Sequence, residues 1–238
     1  MKDIEVSIVI PAYNEEKYLS FVLQSLTHLQ TKKNFEVIVV DNNSSDNTAK
    51  LAKSFQDKLN LRVILEKTKG RGAARKRGFD EALGEVVVSL DADATIYPDW
   101  LDTITDPLQD GVVATTTSCK IVDCSSLTNA LFNFIQPKAM VLYRWVLGHY
   151  WLSGFSFGIL KSVYQKSGGF DANLQAQEDL DLSFRVANLG KIKFINKPVT
   201  FSGRRFKDGL LVGMYDYIRS FIEAFIFKKT SVYLDNPR

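Results

Sequence analysis

Glu85-Val-Val-Val-Ser-Leu-Asp-Ala-Asp93 sets a short apolar run directly before two acids that are one residue apart. A run of this length, Glu85–Leu90, reads as a strand buried on both faces, which is the habit of strands in a parallel sheet covered by helices. Outward from it toward the N-terminus the same unit repeats. A basic, glycine-containing turn, Lys69-Gly70-Arg71-Gly72, opens a helix carrying Ala73, Ala74 and Phe79. Before it come a third strand at Arg62–Leu65, a second at Phe35–Val40 and a first at Val6–Ile10. Pro11 stops the first strand, and Asn14 is placed to cap a helix with Glu15 and Glu16 in its first turn and Leu19, Val22, Leu23 and Leu26 as its buried stripe. The polar turn after the second strand leads to a helix whose inner face is Leu51, Ala52 and Phe55.

Toward the C-terminus the alternation loosens. Pro98 begins a helix at Trp100 and Leu101, a strand is expected at Gly111–Thr117, and an apolar helix around Leu131–Leu147. A glycine-rich turn follows at Ser153–Gly158, then a short helix stopped by Gly168-Gly169, and a helix over Glu178–Leu189 with Gly190 at its end. Strands joined by crossover helices predict an α/β domain with a mostly parallel central sheet flanked by helices, its two halves meeting near residue 95.

The 238 residues, 45% hydrophobic and 24% charged, suit one large domain. A net charge of +3, with acids and bases interspersed, argues against a nucleic-acid partner. The opening Met-Lys-Asp-Ile-Glu runs into a strand instead of a secretory signal, so Cys119 and Cys124 are expected to be inert thiols in a reducing cytoplasm. No stretch reaches 18 uninterrupted apolar residues, so no membrane span is expected. Gly209–Phe227 is an amphipathic C-terminal helix followed by Lys228 and Lys229. It would pack on the domain, join a second copy as a homodimer, or lie peripherally in the inner face of a membrane.

Ligands of open parallel sheets collect beyond the carboxyl ends of the strands, and acids stand there repeatedly. Tyr13 and Glu15 follow the first strand, Asp41 the second, and Asp91 and Asp93 the fourth. Two residues apart on extended chain, Asp91 and Asp93 point the same way and can present oxygens to Mg²⁺ or Mn²⁺, leaving positions open for phosphate oxygens; the bland alternative is a pair of solvated loop acids. Asp41 can accept the ring N–H of uracil or guanine, unless it only caps the turn after it. Arg71 and Arg75, one helical turn apart, can clamp phosphate or form surface ion pairs. Gln177-Glu178-Asp179-Leu180-Asp181 opens a helix, whose dipole keeps carboxylates ionised and able to act as bases; ordinary helix-start acids look the same.

Taken together, these segments resemble the family 2 glycosyltransferases of the GT-A fold. Ser7–Glu16 (SIVIPAYNEE) is similar to the opening strand and nucleotide contact, Val37–Thr48 (VIVVDNNSSDNT) to the base-binding turn, and Lys69–Ala82 (KGRGAARKRGFDEA) to the phosphate-side helix. Leu90–Asp93 resembles the metal motif, Ser153–Asp171 the acceptor-side segment, and Gln177–Arg185 the Glu-Asp base motif. The resemblance implies a Rossmann-like GT-A domain with residues 1–95 as the nucleotide half, 96–205 as the acceptor half and 206–238 as helix and tail. It implies that Pro11, Tyr13, Glu15, Asp41, Arg71, Arg75, Asp91 and Ala92 surround the nucleotide, that Asp91 and Asp93 serve the metal, and that Asp179, beside Glu178, is the general base. Arg204 and Arg205 lie where the family often holds a basic segment facing phosphate on the donor or on a lipid-linked acceptor; otherwise they are surface charge.

The activity implied is inverting transfer of a hexose from a UDP- or GDP-sugar to a sugar or lipid-linked acceptor, in cell-envelope polysaccharide, glycolipid or glycoprotein synthesis. Processive members carry Gln-x-x-Arg-Trp after the base motif, which this sequence lacks, so transfer of one sugar is implied. A nucleotidyltransferase would carry a glycine-rich loop after the first strand, where Pro11-Ala-Tyr-Asn-Glu15 stands. A non-catalytic binding module would tolerate loss of the metal pair or the base.

Overall fold

One eight-stranded sheet runs through both halves of the chain. The structure, a computed structural model, describes residues 3–174, 177–207 and 209–215. Strands β1 (Val6–Ala12), β2 (Phe35–Asp41), β3 (Leu61–Leu65) and β4 (Val86–Leu90) alternate with helices α1 (Leu19–Leu26), α2 (Thr48–Lys53) and α3 (Arg71–Glu81). All pairings among these four strands are parallel. Side chains alternate across the sheet: Ile8, Ile10, Val37 and Val39 pack with α1 on one face, and Val9, Ile38 and Val40 with Ala74 and Phe79 of α3 on the other. Burying each of the α1 residues Leu19, Val22, Leu23 and Leu26, none more than 1% exposed, contributes about 1.5–3 kcal/mol.

Beyond β4 come β5 (Ala94–Thr95), α4 (Trp100–Thr105), β6 (Val112–Lys120), α5 (Ser126–Leu147), β7 (Ser156–Leu160), α6 (Lys161–Lys166), α7 (Glu178–Ala187) and β8 (Lys191–Phe201). The sheet order is β3-β2-β1-β4-β7-β6-β8-β5. Strand β7 lies antiparallel between β4 and β6, β6 and β8 are parallel, and β5 and β8 antiparallel. Parallel pairing therefore holds in the N-terminal half and at β6–β8, while β7 and β5 pair antiparallel in the C-terminal half.

Three local expectations change. Asn14 does not cap α1; it takes a left-handed φ of 54°, and its side-chain oxygen accepts the backbone N–H of Ser45, tying the two loops together, while Tyr18 precedes the helix. The expected turn at Ser153–Gly158 ends early, because residues from Ser156 onward form β7, with Gly158 opposite Val88. Strand β8 was not anticipated in Lys191–Phe201, where Lys191, Lys193, Lys197 and Pro198 interrupt the apolar pattern. Residues 210–215 are helical, and the rest of the amphipathic segment lies outside the described residues. No helix among the described residues is long and apolar enough to cross a membrane. Cys119 and Cys124 are free thiols, each pushed up by burial.

Candidate active site

The carboxyl ends of β1, β2 and β4 lie on one edge of the sheet, and the acids that follow β1 and β4 meet two arginines. Arg75 projects from α3 and is 2% exposed. Its Nε donates to Ser89 Oγ at 3.2 Å, Nη2 donates to Asp91 Oδ1 at 2.6 Å, and Nη1 donates to Glu178 Oε1 on α7. Ser89 in turn donates to the Gly154 carbonyl at 2.9 Å. Gly154 leaves room for this guanidinium: a Cβ there would stand 2.3 Å from Arg75 Nη2, so a larger residue would force one of the two to shift. One buried guanidinium thus ties the metal-motif strand to the helix bearing the Glu-Asp pair.

Arg204, in a 3₁₀ turn at Arg204–Phe206, makes the second knot. It donates to both carboxylate oxygens of Glu15, at 2.7 and 3.0 Å, lies 2.8 Å from Asp93 Oδ2, and covers the Tyr18 ring at 4.6 Å. Two-residue strand β5 sets this geometry by pairing Ala94 with Phe201, so the residue after Asp93 is held beside the start of the Arg204 turn.

The structure redistributes several expected roles. Arg75 is not arranged as a phosphate clamp, because Ser89, Asp91 and Glu178 occupy its donors; burial alone would lower its pKa, but the Glu178 and Asp91 charges raise it. Arg71 is half-buried at the first position of α3. Just beyond it Gly72 passes so close to residues 171–174 that a Cβ would stand 2.4 Å from the Asp171 and Leu174 carbonyls. The Glu15 carboxylate is committed to Arg204, although burial outweighs that partner and raises its pKa. Arg204 is anchored in place instead of lying on a free segment, and the Arg205 charge also acts on Asp93. Asp41 is 6% exposed and accepts the Ser44 backbone N–H at 3.1 Å, a turn contact that leaves its second oxygen for other donors. Pro11 and Tyr13 line the same mouth half-buried, and Ala92 is buried between the two aspartates.

Asp179 accepts the Gly154 N–H at 2.8 Å and the Leu180 N–H at 2.8 Å. The helix start does not keep it at the ordinary aspartate value. Burial raises it, with Arg75 and these backbone donors opposing, and the neighbouring Glu178 is likewise pushed up by burial against the pull of Arg75. Around the pair, Tyr143 Oη, His149 Nε2, Trp151 Nε1, Gln177 Oε1 and Glu178 Oε2 are buried with no hydrogen-bond partner among the described residues. Buried polar atoms in that state call for an occupant or a function. Tyr143 stands 5.6 Å from His149 and 6.1 Å from Trp151 by ring centroids, and its hydroxyl feels the Asp179 charge. Sequence reasoning missed this aromatic set because its members belong to α5 and to the loop after it, which carry no motif.

A divalent cation fits Asp91 and Asp93. Burial, and then the charge of Asp91, push the Asp93 carboxyl up, so a cation between them relieves both. No three His, Cys, Asp or Glu side chains among the described residues form a metal cage. Two carboxylates with phosphate oxygens completing the shell is the usual arrangement for Mg²⁺ in nucleotide sites.

Comparison with known proteins places the chain in a family and a fold. The family described as Glycosyl transferase family 2 matches residues 7–168. Probable glycosyltransferase YdaM of Bacillus subtilis is 31% identical over 222 residues, 84% of this chain and 51% of that protein. Undecaprenyl-phosphate 4-deoxy-4-formamido-L-arabinose transferase of Proteus mirabilis is 35% identical over 112 residues, covering 45% of this chain and 34% of its own length. The chain therefore spans about half or less of these relatives. Among solved structures, the mannosyltransferase PcManGT of Pyrobaculum calidifontis, in complex with GDP-Man and Mn²⁺, superposes with a TM-score of 0.64 at 22% identity, covering 90% of this chain and 64% of that one, a likeness of fold.

Proposed function

This chain belongs to glycosyl transferase family 2, and we propose that it moves one hexose from a nucleotide-diphosphate sugar to an acceptor hydroxyl or lipid phosphate with inversion at the anomeric carbon. The observation that carries this reading is the Arg75 knot, which holds the Asp91 end of β4 and the Glu178-Asp179 start of α7 at one point. Leaving-group and base chemistry are then arranged around a single reacting carbon.

The nucleoside lies against Pro11, Tyr13 and Asp41, with Asp41 accepting a ring N–H of uracil or guanine. Asp91 and Asp93 are the residues that would hold Mg²⁺ or Mn²⁺ on the diphosphate side. When bound, that ion neutralises the charge growing on the departing diphosphate. Asp179 removes the acceptor proton as its oxygen bonds to the anomeric carbon, and the carbon–oxygen bond to the diphosphate breaks on the opposite face. Its raised pKa suits a base, because a group closer to neutrality accepts the proton more readily. Tyr143, His149, Trp151 and Gln177 bring unpartnered polar atoms to the acceptor side, where a polyhydroxylated ligand satisfies them. The Proteus relative, named for transfer to undecaprenyl phosphate, supports a lipid-linked acceptor and hence work at the cytoplasmic face of a membrane.

Asp179→Asn is the test. Transfer from UDP- or GDP-hexose should fall by about 10³-fold or more, while thermal stabilisation by the matching nucleotide and Mn²⁺ is retained. Normal turnover in that variant would remove Asp179 from the mechanism; absence of any nucleotide response in the parent protein would reduce the chain to a binding module of another kind.

A further inference from the structure

Helix α5 is amphipathic in the reverse sense. Asn129, Asn133 and Gln136, one turn apart, face inward: their side-chain oxygens accept the backbone N–H groups of Cys124, Ile121 and Cys119 at 3.2, 2.9 and 3.2 Å. Phe132 and Met140 are its only buried apolar residues. The opposite face is apolar and open to solvent. Leu131, Phe134, Val141, Leu142 and Trp145 share this side of the helix and are 42–83% exposed, Trp145 the most. The 22-residue helix contains Lys138 and Arg144 and no acid. Lys138 sits in the middle of the stripe, its ammonium 2.9 Å from the centroid of the Phe134 ring. A groove lined by Pro137, Lys138, Val141, Phe194 and Asn196 runs beside it.

We propose that this face of α5 docks on an anionic lipid bilayer, with Trp145 and Phe134 entering the headgroup boundary and Lys138 and Arg144 meeting acidic headgroups. Charge decides between this occupant and a second copy of the chain. A two-fold pairing of α5 about its midpoint would set Lys138 of one copy beside Lys138 of the other, with no acid on either helix to neutralise them. An anionic surface is complementary to both bases, and a long aliphatic ammonium stem beside aromatic rings is suited to the water–lipid boundary. Because the inner side of the same helix carries Tyr143 near Asp179, docking would bring the base toward the membrane surface. The proposal deepens the lipid-acceptor reading above, but it is read out by binding alone and stands or falls separately from turnover.

The experiment is flotation of the full chain with vesicles of phosphatidylcholine containing phosphatidylglycerol, and with phosphatidylcholine alone, beside sedimentation of the lipid-free protein. The parent protein should float with the anionic vesicles, less so as salt is raised. Leu142→Glu/Trp145→Glu, both at exposed positions, should lower partitioning by about tenfold or more with an unchanged melting temperature, and Lys138→Ala/Arg144→Ala should lower it on anionic vesicles only. Equal flotation of the Leu142→Glu/Trp145→Glu protein overturns the assignment to α5. Failure of the parent to float, or a lipid-free dimer that this variant dissolves, overturns the bilayer as occupant.

Discussion

The two aspartates of Asp91-Ala92-Asp93 each face an arginine, and the two arginines differ in what they join. Arg75 reaches Asp91 from α3 and is enclosed by α7, with side-chain exposures of 3% for the arginine and 2% for Glu178. Arg204 reaches Asp93 from the turn after β8 and is 9% exposed, with Glu15 at 8%. The inner knot links the end of β4 to the start of α7 through the middle of the molecule. The outer one ties the loop after β1 and Asp93 to the turn after β8, at the mouth where the strands end. One Asp-Ala-Asp stretch is thereby fixed twice, from two different parts of the chain.

The largest effect should separate the two knots. Arg75→Met strands Glu178 inside the protein, and breaking a buried pair in this way should cost about 3–5 kcal/mol of stability, against about 1–3 kcal/mol for Arg204→Met, whose orphaned acids Glu15 and Asp93, at 8% and 9% side-chain exposure, are less completely enclosed than Glu178 at 2%. Urea unfolding of the two variants measures this, and equal losses would erase the distinction between joint and mouth. A second change attacks the inner knot from its neighbour. Gly154→Ala forces a methyl against the Arg75 guanidinium and should cost about 1–3 kcal/mol by overpacking, with Arg204 undisturbed. The smallest effect concerns pH. Burial raises the Asp179 carboxyl and the Arg75 charge pulls it back, so kcat/KM should decline on acidification above the ordinary aspartate value, as the base becomes protonated. The surviving turnover of Arg75→Met should show that acid limb displaced upward, and that of Arg204→Met should not; a common limb in both would break the electrostatic side of the comparison.

The same contrast explains what could be read from sequence. The N-terminal half was legible because each strand, turn and helix is contiguous: the apolar run at Val86–Leu90 and the acids after it appear in reading order. The C-terminal half depends on pairings between distant residues. Ser156–Leu160 follows glycine and serine and looks like a turn until β4 and β6 supply its partners. Lys191–Phe201 is half-exposed with Pro198 inside, so its apolar signal is too thin to announce a strand. Asp91, Asp93 and Asp179 stood out as candidates from their positions after a strand and at a helix start. The role of Arg75 was not, because whether a helical arginine turns outward or inward was decided by the missing Cβ of Gly154, 79 residues away, and by Glu178 beyond it. Arg204 was found as a basic residue, but its partner Glu15 lies 189 residues earlier, beyond any local pattern.

That separation has a consequence for the order in which the molecule is made. At about 5–20 residues per second, Arg204 leaves the ribosome roughly 10–40 s after Glu15. During that interval the early strands can pair and the Arg75 helix can form, and from the emergence of Asp93 onward Glu15 and Asp93 face each other without their cation. The nascent nucleotide half can thus acquire its backbone order before its charge balance, and the last described turn of the chain completes the electrostatics of its first loop.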